Sequence, residues 1–471
     1  MTVRADAQQR RGTDHPPAVV AQSRSGTFRA FARPVGILGT GVFVPPRRVT
    51  NDELVRTLDT TDEWIRRRTG IRERRWLDPA LTATDMMVAA GGDALAAAGV
   101  APADLGAVVV ATFTGDQPLP SNAVTVASRL GATGACPLDL NQAACAGGVL
   151  GIWTAAHLVA AAPTRPVLVI GSEVLSRVTD PEDRSTRVFF GDAAGAVVLG
   201  TVPEGAGLEA WHVGAELSHD VGIRAGGASR PVDAGAVDRR EHYLHMDGRT
   251  VWDMATRHLP ASVRAACAAG AVALEDVDRF VFHQANLNIV HAAMDALARP
   301  RGLAAVNVDR LGNTGAATVF LALHESVAED AVRPGDRVVI SAIGAGFIWG
   351  SLVLRHVAAR GPASPASPAS VSRSSAPTTK GTAMTMSEHE AAEMFVGLYQ
   401  LDVDPATIAG TDQLFGPRSA FGRDSMDVLK LIAALRERYT FDIGDLKTES
   451  FLTTASIVDF LGSRAQAKAG I

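Results

Sequence analysis

Three side chains in this sequence carry the chemistry for making and breaking an acyl bond. Cys145 sits in "DLNQAACAGGVLG", residues 139–151, His283 ends a β-branched run in "VFHQANLNIV", and Asn313 lies beside glycines in "LGNTGAATVF". Singly, each has a plainer explanation: cysteine packs as a small hydrophobe, histidine can be satisfied inside a core, and asparagine is common in turns. Together they supply a thiol nucleophile and two neutral donors, the set that attacks a carbonyl and stabilises the charge developing on oxygen. A fourth segment, "AIGAGFIWGS", is a glycine-rich turn whose backbone amides can approach a substrate closely. Cys145 also precedes "AGGVLGIWTAAHLV", which reads as a helix. A thiol at a helix N-terminus is expected to have its pKa lowered by the unpaired amides and the helix dipole.

The elements that must position these groups read as an α/β frame. "LGAVVVATFTG" and "PVLVIGSEVL" are apolar strands buried on both faces, and "TDMMVAAGGDALAAAG" and "GIWTAAHLVAAA" are Ala-rich helices between them. "DRFVFHQAN" and "DRVVISAIGAGFIWGSLVL" repeat the strand character in a second half. The pattern stops at residues 359–386, where Pro, Ala and Ser dominate and a linker is expected. Beyond it, "SEHEAAEMFVGLYQLD" and "SMDVLKLIAALRERY" carry apolar residues at helical spacing, so a separate small helical domain is expected.

Bulk properties narrow the function further. The 471 residues carry 45 Lys and Arg against 50 Asp and Glu, a formal charge of −5, with no basic run of the kind that binds nucleic acid. Three cysteines without a CxxC pair, Cys136, Cys145 and Cys267, suit a reducing compartment. No uninterrupted apolar stretch reaches membrane-spanning length. Residues 1–34 lack the apolar core of a signal peptide and read as a disordered arm, so a cytoplasmic protein is expected.

With the motifs in view, residues 35–358 resemble the β-ketoacyl-acyl-carrier-protein synthase III (KAS III) family, thiolase-fold condensing enzymes. The resemblance is carried by "TTDEWIRRRTGIRERR", "NQAACAGG", "GSEVLSRVTDPEDRST", "FGDAAGAVVLG", "HMDGRTVW", "HQANLNI", "GNTGAAT" and "GAGFIWGS", in the family's order and spacing. It implies two similar βαβαβαββ halves, residues 35–205 and 206–358, stacked as α-β-α-β-α layers. It implies that Cys145 takes an acyl group from an acyl-CoA or acyl-carrier thioester, with the amides of Cys145 and Gly346 holding the oxyanion. His283 and Asn313 would then bind the carbonyl of a malonyl-type thioester while it loses carbon dioxide, with no metal or nicotinamide. The resemblance also places Trp64 and Arg184 around coenzyme A adenine, Arg68 and Asn286 on nucleotide and pantetheine, and Leu119 at the primer pocket. A homodimer is implied as well.

Two positions depart from the family. Asn288 stands where arginine is common and Asp253 where lysine is common, which should weaken steering of an anionic donor. In the tail, residues 387–465, "FGRDSMDVLKLIAALRERY" resembles the helix II entry of a four-helix acyl carrier protein. Ser425 would carry 4′-phosphopantetheine, attached by a phosphopantetheinyl transferase. Two other readings stay open: an acyltransferase that moves an acyl group from Cys145 to the carrier arm, a hydroxyl or an amine, and a non-catalytic carrier scaffold.

Overall fold

The computed structural model describes residues 18–22, 31–141, 144–357, 386–399, 401–415, 419–421, 428–438 and 451–468. Two compact units divide the chain, residues 1–366 and 367–471.

Ten strands of the first unit build two five-stranded sheets: β1 Ala18–Gln22, β2 Val35–Phe43, β3 Ala107–Ala111, β4 Cys136–Leu140, β5 Val167–Val174, β6 Asp192–Thr201, β7 Gly207–Ala215, β8 Arg279–Phe282, β9 Arg337–Gly344 and β10 Ile348–Arg355. One sheet has the order β2-β6-β5-β3-β4 and the other β1-β7-β10-β9-β8. From β2 and from β7 the same walk is made, first strand, last strand, then inward, and β3, β4, β5 and β8, β9 pair in parallel within it. The repeat differs at its edges. Where β4 closes the first sheet, the second has only an isolated bridge, Phe280 to Ala304. The opposite edge of the second sheet gains β1, antiparallel to β7. The reading of residues 1–34 as a disordered arm is therefore corrected at Ala18–Gln22, a run whose main-chain groups complete the exposed edge of β7.

Helices α1 Asp62–Thr69, α2 Ala83–Ala98, α3 Gly147–Ala161, α4 Gly248–Ala269, α5 Leu287–Ala296 and α6 Thr318–Ala328 complete the layers. Alternation along the strands sorts the core. Val109 and Val169 face inward with Val149, Ile152 and Ala156 of α3 and Phe320 and Leu323 of α6, between the two sheets. Val108, Val110, Leu168 and Ile170 face outward onto Met86, Met87, Ala90 and Ala94 of α2. Phe280, Val339 and Trp349 do the same for Leu259 and Val263 of α4. The result is the α-β-α-β-α stack that the resemblance implies. Residues 144–161 are long and apolar enough to cross a membrane by composition, yet here they are the central helix, packed on both sheets.

The second unit contains α7 Glu388–Tyr399, α8 Val428–Arg438 and α9 Thr454–Lys468. They close on Phe395, Tyr399, Phe415, Leu431, Leu435, Phe451, Ile457 and Leu461. Three helices are thus described, whereas the sequence predicts four. Ser425 and most of the 359–386 segment lie outside the described residues.

Candidate active site

Cys145 is delivered by β4 and held on one 3₁₀ turn, Ala144–Ala146, that runs directly into α3. Ala144 has φ of +42°, a left-handed conformation uncommon for a residue with a Cβ and often found where a functional group must be aimed. The thiol reaches a cavity of about 830 Å³. Burial, and after it the charge of Glu173, push its pKa up to about 12, while its own backbone amide and the Asn313 side chain act the other way. This direction is opposite to the one expected from the helix N-terminus: taking a thiolate out of water outweighs the helix field here.

His283 and Asn313 line the same cavity, each nearly inaccessible to solvent. His283 follows the last residue of β8, its amide donating to Ser341 O at 2.8 Å. Burial pushes the imidazole down to about 3, so it is neutral at physiological pH. Its Nδ1 lies 2.7 Å from Thr318 Oγ1. When Thr318 gives its single proton to Nδ1, the proton of the ring sits on Nε2, the nitrogen left for the cavity. Thr318 also lies 3.1 Å from Gly315 O, the competing acceptor for that proton. Asn313 Oδ1 accepts from Gly315 N at 2.9 Å, which leaves Nδ2 free to donate. Gly312, at φ +69° and ψ −168°, makes the turn possible; a Cβ there would stand 2.8 Å from Phe189 O.

At the mouth, Arg68, Asn286, Asn288, Arg249 and Asp253 line the cavity. Asn286 caps α5 through Asn288 N (2.8 Å) and donates to Arg68 O at 3.1 Å. Asn288 Nδ2 donates to Arg67 O (3.2 Å) and Arg68 O (3.0 Å). Asn288, where the resemblance expects an arginine, thus ties the C-terminus of α1 to the N-terminus of α5. Arg249, inside the "HMDGRTVW" stretch, adds a mouth cation that reading by motif passed over.

Other expected residues fall elsewhere. Trp64 and Arg184 are paired, the guanidinium 5.7 Å from the ring centroid, but neither lines the cavity. Arg184 is further held by Asp59 O at 2.7 Å. Gly344, Ala345 and Phe347 line the cavity around Gly346, whose φ is +138°. Leu119 is 82% exposed and does not line this cavity. Two groups went unread, Thr318 and Glu173. Both lie inside stretches that carry the resemblance, "GNTGAAT" and "GSEVLSRVTDPEDRST", and their roles arise from contacts that no spacing reveals.

A thiol, a neutral imidazole and a carboxamide around one apolar cavity between two repeated α/β halves define a thiolase-fold condensing enzyme. Residues 138–216 match the family 3-oxoacyl-[acyl-carrier-protein (ACP)] synthase III and residues 267–356 its C-terminal counterpart. The chain is 42% identical over 325 residues to a β-ketoacyl-[acyl-carrier-protein] synthase III of Symbiobacterium thermophilum, 69% of this chain and 98% of that protein. It is 43% identical over 330 residues to β-ketoacyl-[acyl-carrier-protein] synthase III 5 of Streptomyces coelicolor, 68% and 96% of the two chains. Among solved structures, the priming β-ketosynthase of the R1128 polyketide biosynthetic pathway superposes with a TM-score of 0.65 at 33% identity, covering 71% of this chain and 99% of that one. The chain belongs to the β-ketoacyl-acyl-carrier-protein synthase III family.

Proposed function

We propose that this enzyme joins an acyl thioester to a malonyl-type thioester by decarboxylative Claisen condensation, with the acyl group held on Cys145. The carrying observation is the convergence of Cys145, His283 and Asn313 on one cavity. The sulfur of Cys145 attacks the thioester carbonyl, and the tetrahedral oxyanion collapses as the donor thiolate leaves and takes up the thiol proton. The amides of Cys145 and Gly346 are assigned to that oxyanion. The malonyl-type carbonyl then lies between His283 Nε2 and Asn313 Nδ2. As the carboxylate leaves as carbon dioxide, its bonding electrons form an enolate held by these two donors. The enolate carbon attacks the acyl-enzyme carbonyl, the new carbon–carbon bond forms, and the Cys145 sulfur is released. A donor that stays neutral suits this step, because it needs hydrogen bonds and not a proton exchanged with solvent.

A specialised priming or chain-joining role in polyketide-like biosynthesis is supported by the likeness to the R1128 priming ketosynthase. It is supported also by the mouth, where Asp253 and Asn288 line the cavity at positions that the family resemblance expects to be basic. The C-terminal unit is assigned as an acyl carrier with 4′-phosphopantetheine on Ser425, a tethered thiol whose high effective concentration relaxes the need for a basic docking rim. Leu119, exposed on this chain, is assigned to the primer pocket, and the enzyme is assigned as a twofold dimer on the family resemblance. The test is release of labelled carbon dioxide from a carboxyl-labelled malonyl donor by the acylated enzyme. Release with a new carbon–carbon bond supports condensation; acyl movement to another acceptor without release makes the protein an acyltransferase.

A further inference from the structure

One buried acid near the nucleophile has no part in the chemistry above. Glu173, the penultimate residue of β5, is fully inaccessible to solvent. Its Oε2 accepts from the hydroxyls of Thr112 (3.3 Å) and Thr114, and its Oε1 has no hydrogen-bond partner among the described residues. Phe113 and Leu175, on either side of this contact, line the cavity, so the carboxyl lies just behind the wall that holds Cys145. On its other side it supports the donor loop. A methyl built on Gly315 would stand 2.5 Å from Glu173 Cγ, and the same Gly315 gives its amide to Asn313 Oδ1.

We propose that Glu173 is a positioning residue whose charge gates the nucleophile: neutral, it braces the Asn313 loop and leaves burial alone to oppose ionisation of Cys145, and as an anion it further suppresses the Cys145 thiolate. The inference rests on Cys145 being the acyl acceptor of the proposed reaction, and it adds a control on that sulfur. Burial, opposed by the two threonine hydroxyls and nearby amides, pushes the carboxyl up to about 8, so both forms are reached under ordinary conditions. It touches the hydroxyls of Thr112 and Thr114 after β3 and packs on Gly315 before α6, and its charge is felt by Cys145 before α3. Of these only Cys145 titrates. On β6 its partner is Ala193; Asp192 pairs with Val174 and so faces the other side of the sheet, where Leu77 N and Ser176 hold it. His283 is uncharged above about pH 3.

The sign follows directly. Below about pH 8 Cys145 is opposed by burial alone. Above it, a negative charge is added and the thiolate becomes harder to form, because like charges in a poorly solvated site disfavour each other. The thiolate fraction in the wild type should therefore climb less than tenfold per pH unit through this range.

The experiment is the rate of Cys145 alkylation by iodoacetamide in the full chain, resolved by peptide mass spectrometry across pH. The thiolate sulfur displaces iodide and forms a sulfur–carbon bond, its proton having gone to buffer. Exposed Cys136 serves as a control thiol in the same sample. The ratio of E173Q to wild-type rates should rise by about tenfold between about pH 6.5 and 9.5, as expected for a one-unit change in thiol pKa. Thr114→Val, which removes a donor that favours the anion, should move the flattened part of the profile to higher pH. It provides a second reading should E173Q fail to fold. Parallel profiles for wild type and folded E173Q, or an unmoved profile in folded T114V, would overturn the proposal. Neither outcome involves an acyl or malonyl donor, so failure here is separable from failure of the condensation reading.

Discussion

The two halves of the catalytic unit share a strand order and differ in what they do with charge. In the proposed reaction the first half carries the group that must ionise, Cys145, and surrounds it with burial and a buried acid that both resist ionisation. The second half carries His283 and Asn313, assigned as neutral donors, and burial keeps the imidazole neutral. The same desolvation therefore opposes the working state of one half and enforces the working state of the other. A repeated frame gives matching positions and leaves electrostatics to the few residues around each position.

Substitutions can break that contrast. The largest effect is expected for Cys145→Ala, which should abolish acyl-enzyme formation, read by intact mass, with unfolding close to wild type because only a sulfur is lost from an Ala-rich turn. His283→Ala and Asn313→Ala should each slow malonyl decarboxylation by roughly 100-fold or more, as for a lost oxyanion donor. Acylation of Cys145 should suffer far less. Equal damage to both half-reactions would erase the division between the halves.

Smaller changes sharpen the same comparison. Thr318→Val removes the hydroxyl 2.7 Å from His283 Nδ1 and with it the hydrogen bond that holds the ring in place. A loss of about tenfold in decarboxylation is expected, the scale of one hydrogen bond to a buried group, with acylation spared. Acid should also act through the donor half. The folded pKa of His283, about 3, lies below its ordinary value, so its neutral form adds stability fully above about pH 6.5. That contribution is lost as pH falls from there through about 3, by up to about 1.4 kcal/mol per pH unit. Urea midpoints measured between about pH 7 and 4 should fall less steeply in His283→Asn than in wild type.

Cys145, His283 and Asn313 were legible because their types are scarce and their surroundings are spaced like those of a condensing enzyme. So were the buried strands, whose unbroken apolar runs leave little choice of structure. Glu173 was not, since an acid in "GSEVL" gains its meaning only from burial and from Gly315 packing against it. The rise in the Cys145 pKa was missed for the same reason: the helix N-terminus shows in sequence, and desolvation does not. Ala18–Gln22 read as an arm because pairing with β7 depends on a partner about two hundred residues away. Leu119 was placed by its position in a motif, and on this chain it is exposed and outside the cavity. Asn288 read as a lost charge, while its bonds to Arg67 and Arg68 show a clamp in its place.

The division between an acylated thiol and a decarboxylating donor pair is tested most directly in a single turnover. Enzyme pre-acylated on Cys145 is mixed with a carboxyl-labelled malonyl thioester, and acyl-enzyme mass and labelled carbon dioxide are followed together. The account predicts one carbon dioxide for each acyl group lost, with a β-ketoacyl product, in wild type, and an acyl-enzyme that persists in His283→Ala and Asn313→Ala. Loss of the acyl group from Cys145 without carbon dioxide would contradict it.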